Sequence, residues 1–130
     1  MQRLRAALAL FIVLALCAGA SVATAQRAAE RFIPLGQSPG VSGRLSVIGT
    51  IVAVDREQRR IELSGSAGRV SVTLRDSTSI WIDRHELGLG AARGSFDDCR
   101  ESVLAEVKYA DPDTRQVAEW IKLRARAAEP

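Results

Sequence analysis

Few side chains in this chain could do covalent or metal chemistry, and they cluster. Past residue 25 there is one cysteine, Cys99, one histidine, His85, and no methionine. Both fall in the stretch Arg84–Glu101. A thiol becomes a nucleophile when a neighbouring base or positive charge makes it a thiolate. Cys99 is therefore the candidate reactive thiol, and Cys99–His85 is the dyad this chain can offer. Nothing nearby reads as an oxyanion site or a third orienting group. The plainer reading makes Cys99 a small apolar residue, whose loss leaves fold and export intact, and His85 a solvated loop residue. One His and one Cys cannot assemble a soft-ligand cluster from a single copy, so no metal and no cofactor is expected.

Other patterns fail on spacing. Gly88-x-Gly90-x-x-x-Gly94 is one residue away from a dinucleotide fingerprint, and the chain has no room for the βαβ units that motif needs. Asp111-x-Asp113 begins like a calcium loop, but Gln116 stands where its glycine belongs and Lys122 where its bidentate glutamate belongs. Asp97, Asp98 and Glu101 form the densest acidic group. They suit a hard cation or basic partner, and suit better the first turn of a short helix capped by Ser95 and Asp98. No reaction emerges, and a non-enzymatic protein is expected.

Recognition chemistry rests on Trp81, Trp120 and Arg84, the candidate ligand-binding residues. Ile80 and Ile82 point away from Trp81 in the alternating run SIWID. Trp81 then either faces outward, where sugars or bases stack, or packs beneath the glycine-rich insert Arg84–Glu101. Trp120 poses the same choice, and cover is the expectation for both, because a small barrel must close its ends.

These residues sit in a chain whose start reads as an export signal. Arg3 and Arg5 precede the apolar stretch Ala6–Ala18, and Ala23 and Ala25 fit a peptidase cutting before Gln26. The 21 uncharged residues from Ala6 to Gln26 also suffice for an uncleaved anchor. A lipoprotein signal at Cys17 is disfavoured by Leu16. Cleavage after Ala25 is the reading adopted, giving a periplasmic or secreted bacterial protein with no membrane span in the mature form. Loss of Arg3 and Arg5 turns 18 basic against 15 acidic residues into 16 against 15. A phosphate-backbone binder would concentrate positive charge, and there is no strong nucleic-acid signal. Cys99 is left without an intramolecular partner, so it pairs between chains or stays a thiol.

Residues 26–43 carry Pro34, Gly36, Pro39, Gly40 and Gly43 and read as a flexible linker. Residues 44–124 read as one β domain and 125–130 as a loose tail. Strands are expected over Leu45–Asp55, with Gly49 marking a bulge or bend, then Arg60–Ser64, Arg69–Arg75 and Ser79–Asp83, with a break at Asp76-Ser77. One or two helical turns are expected over Phe96–Glu101, followed by strands in SVLAEVKYA and QVAEWIKL. Alternation places Ile61, Val72 and Val107 in one core. Asp55-x3-Arg59-x-Ile61 echoes Asp111-x3-Arg115-x-Val117, which reads as shared hairpin chemistry.

Three strands (the third bent), an insert and two further strands give the order of a small OB-like barrel of five to six strands. Gly49, Ile51, Val54, Asp55, Ile61, Leu63, Ala118 and Ile121 resemble the pattern of an uncharacterised bacterial family of exported OB-like β-barrel domains of unknown function, over Val47 to Leu123. The resemblance implies a fold and brings no catalytic residues. The function expected is a non-enzymatic exported module that binds a partner protein or cell-envelope component. An OB-type glycan- or oligonucleotide-binding domain using Trp81 and nearby arginines is the alternative, and a thiol-dependent role through Cys99 a further one. Oligomeric state is left open.

Overall fold

The computed structural model describes residues 29–38, 44–66 and 68–126. The expected signal, Cys17 and the cleavage site at Ala25 lie outside them. The chain divides into two compact units, Met1–Arg31 and Phe32–Pro130. Of the first, residues 29–31 are described, with Ala29 and Glu30 helical.

The second unit is mainly β. Its strands are β1 (Ser46–Asp55), β2 (Arg60–Gly65), β3 (Gly68–Thr73), β4 (Ser79–Asp83), β5 (Ala92–Arg93), β6 (Leu104–Tyr109) and β7 (Ala118–Arg124). They form one sheet in the order β3-β2-β1-β6-β7-β4-β5. All neighbours run antiparallel except β4 and β7, which are parallel. β3 and β4 are one strand broken at Leu74–Thr78: its first half pairs with β2 and its second with β7, so the bend closes the sheet into a barrel. A parallel bridge, Thr73 to Val117, marks the seam. This is OB topology. The count is seven because the bend splits one strand and β5 adds a short one inside the insert.

Ile51, Ile61, Leu63, Val72, Leu74, Ala105, Val107, Ile121 and Leu123 are each at most 1% exposed and fill the barrel. The alternation of β2, β3 and β6 is the one read from sequence. In β1 the register shifts between Ile51 and Ala53, so Val52 is the extra residue. The bulge is therefore two or three residues past Gly49. Gly49 serves a close approach instead: a Cβ there would stand 2.7 Å from the carbonyl oxygen of Ser64.

The insert closes one end of the barrel. Ser95 N–H donates to Asp98 Oδ2 at 2.7 Å, capping a single 3-10 turn, Phe96–Asp98, that drops Phe96 and Cys99 into the core. Gly94 is a packing residue and not a hinge, because a Cβ would meet Ile82 Cδ1 at 2.8 Å.

Two expected boundaries move. Ile33–Ser38, expected in the flexible linker, lies against the outer face of the barrel with Leu35 and Ser38 buried. Leu35 N–H donates to Asp83 Oδ2 at 2.6 Å and Gly36 N–H to Glu106 Oε2 at 3.0 Å. The Pro34–Gly36 turn that read as a linker bends the chain into a strap. Of the expected tail, Ala125 N–H donates to the carbonyl of Asp83 at 2.8 Å and Arg126 donates to that of Glu101 at 3.2 Å.

Candidate functional site

A cleft of about 490 Å³ opens between the β3–β4 bend and the insert, lined by Arg59, Arg75, Trp81, Arg93 and Phe96 together with hydroxyl-bearing residues of the bend. Each wall has a local cause. At the β1–β2 hairpin, Asp55 Oδ1 accepts the N–H of Gln58 at 3.1 Å. Arg59 then turns through a left-handed conformation, φ 51°, which is uncommon away from glycine. Its Nε donates to the carbonyl of Leu74 at 3.1 Å. Its guanidinium carbon lies 5.0 Å from the centroid of the Phe96 ring, within cation–π range. Arg59 is thus held in place before any ligand arrives.

The bend is fixed by Thr78. Its hydroxyl accepts the N–H of Arg75 at 2.9 Å and donates to the carbonyl of Ala118 at 2.7 Å, tying the bend to β7. Arg93 stands directly opposite Trp81 in the β4–β5 register.

Trp81 points outward, as its alternation requires, and is half-buried. Its ring centroid lies 5.7 Å from that of Trp120, with 32° between the planes. Trp120 is only 2% exposed and has Lys122 Nζ 4.5 Å from its ring centroid, so it supports Trp81 and presents no stacking face. Arg84, grouped with the tryptophans in the sequence, does not line this cleft; its Nε donates to the carbonyl of Gly90 at 2.7 Å and closes the insert loop. Arg59, Arg75 and Arg93 were missed. For Arg59 the available signal was the Asp55-x3-Arg59 turn.

The outer face carries a second feature. Glu106 and Lys122, 0% and 1% exposed, are paired across β6 and β7 and covered by the strap. Lys122 Nζ donates to the carbonyl of Ile33 at 2.8 Å and to Ser38 Oγ at 3.0 Å. Glu106 Oε1 and Ser46 Oγ are buried with no hydrogen-bond partner among the described residues.

The thiol of Cys99 is fully buried. Burial, and after it the negative charge of Asp98, pushes its pKa up to about 12. A thiol so placed stays protonated at neutral pH and out of reach of a substrate. His85 is exposed, and its backbone N–H donates to Asp83 Oδ1 at 2.8 Å; no bond joins it to Cys99. Among the described residues no group of three or more His, Cys, Asp or Glu is arranged to hold a metal ion, and no helix is long and apolar enough to cross a membrane.

The second unit is thus a small β-barrel of OB topology with a polar, arginine-lined cleft beside a supported tryptophan. No family model and no curated protein matches the chain. A solved structure of residues 10–88 of a copper(II)-bound CusF variant from Escherichia coli is similar at 10% identity and a TM-score of 0.42, covering 61% of this chain and 89% of that one.

Proposed function

We propose that this chain is an exported, non-enzymatic binding module, akin to the exported OB-like domains it resembles, that receives a partner protein or cell-envelope component in the cleft beside Trp81. The observation that carries the reading is the construction of the cleft: a pinned arginine, a tryptophan backed by a second one, and a bend tied to β7. Rigid elements that hold exposed recognition groups are what binding requires. The burial of Cys99 supports a role without nucleophilic catalysis. Export rests on the charged start, apolar stretch and Ala-x-Ala of the first 25 residues.

Affinity capture from the envelope fraction with the Gln26–Pro130 form tests this, with Trp81→Ala run alongside. A component retained by the wild type and lost with Trp81→Ala supports the reading. Retention of nothing, or of the same component by both, counts against it.

A further inference from the structure

We propose that the cleft takes an acidic peptide segment of the partner, with carboxylates held by Arg59, Arg75 and Arg93. This rests on the reading of the barrel as a binding module and names the chemistry of its ligand.

The argument is a contrast between two sets of arginines. Elsewhere on the barrel the basic side chains, Arg60 apart, are already engaged. Arg56 meets Asp97 at 2.6 Å, Arg69 meets Glu62 at 3.1 Å and Lys108 meets Glu119 at 3.5 Å. A smaller cavity of about 250 Å³ also has three arginines in its lining, Arg100, Arg124 and Arg126. Each has a partner: the carbonyl of Asp97 at 3.2 Å, Glu86 at 3.5 Å and the carbonyl of Glu101 at 3.2 Å.

In the cleft beside Trp81 the guanidinium groups of Arg75 and Arg93 have no carboxylate or carbonyl partner among the described residues. That of Arg59 uses Nε on a backbone carbonyl and a face on Phe96, leaving its terminal nitrogens without a hydrogen-bond partner among the described residues. Asp76 is the single acidic residue in the lining, so the cleft keeps a positive balance. Guanidinium groups bind carboxylates through paired N–H donors. Three of them along one cleft suit successive acidic side chains of an extended segment. Trp81 offers the apolar wall against which the methylenes of glutamate can lie.

The test titrates the chain, purified as it accumulates in the cell, with hexaglutamate, hexaglutamine and a single-stranded oligothymidylate, read by tryptophan fluorescence and amide NMR shifts. Hexaglutamate is expected to saturate, to shift Ser77, Ser79 and Arg93, and to bind more weakly as salt rises from about 50 to about 300 mM. Arg75→Gln with Arg93→Gln should weaken it by about tenfold or more. Both side chains lie at the surface, and an unchanged amide spectrum elsewhere confirms the fold. The proposal is overturned if hexaglutamine binds as well, if the double variant binds like the wild type, or if the oligothymidylate binds more tightly than hexaglutamate. A component captured equally by wild type and double variant, yet lost with Trp81→Ala, would overturn the acidic ligand and leave the binding module standing. Capture of nothing by the wild type would remove the module itself.

Discussion

Glu106 on β6 and Lys122 on β7 stand opposite one another on the outer face of the barrel, each at most 1% exposed. Their cover is the strap Ile33–Ser38, whose backbone and hydroxyl groups meet both charges. Burying a charge without compensation is costly, so the two charges and the strap are mutually dependent. That dependence explains why Ile33–Ser38 belongs to the same compact unit as the barrel.

Removing one charge should therefore cost much more than removing both. Lys122→Met, which strands the carboxylate, is expected to destabilise by about 3–5 kcal/mol, while Lys122→Met combined with Glu106→Leu should recover most of it. Urea midpoints of the two singles and the double decide this. Additive losses would mean that the two residues are not coupled.

The two tryptophans should differ. Trp120→Ala empties a buried site and is expected to cost about 3–5 kcal/mol. Trp81→Ala removes a half-exposed ring and should cost clearly less while abolishing capture of the partner. Equal losses of stability would contradict the assignment of Trp120 as support and Trp81 as contact.

Much of the barrel was legible before the structure because its strands keep period two. Ile61, Leu63, Val70, Val72, Val107 and Tyr109 face inward as their alternation demands. The capping pair Ser95 and Asp98 was visible too, since its chemistry is local. What the sequence hid depends on contacts between distant segments. Leu35 reads as a linker residue until Asp83 and Glu106 are brought beneath it. Gly49 reads as a bulge because nothing local reveals Ser64 across the strand pair. Arg84 looked like the companion of Trp81 because it is three residues away. The arginines that share its cleft come from residues 59, 75 and 93, which only barrel closure brings together. The Asp55 and Asp111 turns do share a conformation: Arg59 and Arg115 have φ 51° and 52°. An ion pair across the turn is not its cause, since each aspartate accepts a backbone N–H instead.

Gly49→Ala should destabilise by about 1–3 kcal/mol, since the added methyl would overlap the backbone of Ser64 and force β1 and β2 apart. Chemical denaturation of the variant measures this. Wild-type stability would show that the two strands can separate freely at that point.

The buried thiol predicts an alkaline loss of stability. Cys99 has an ordinary value of 9.0 and about 12 in the fold; above pH 9 the unfolded chain loses this proton while the folded chain keeps it. The stabilisation is complete below about 9 and is lost as pH rises towards 12, by up to about 1.4 kcal/mol per unit. Tyr109, raised by burial from 10.0, acts in the same direction. Cys99→Ala should flatten the urea midpoint between pH 9 and 11 relative to wild type, and parallel curves would contradict this. Cys99→Ser, whose sequence-based expectation is near neutrality, is now expected to cost about 1–3 kcal/mol, because it puts a hydroxyl into a buried apolar site.

The central claim is that the ligand enters between the β3–β4 bend and β5, and site-specific photo-crosslinking in the producing cell tests it most directly. A photoreactive residue in place of Ser77, in the cleft lining, is expected to give one discrete higher-mass adduct that disappears in the Arg75→Gln, Arg93→Gln background. The same residue in place of Arg69, on β3 away from the cleft, should give none. An adduct formed from position 69 and not from position 77 would contradict the account.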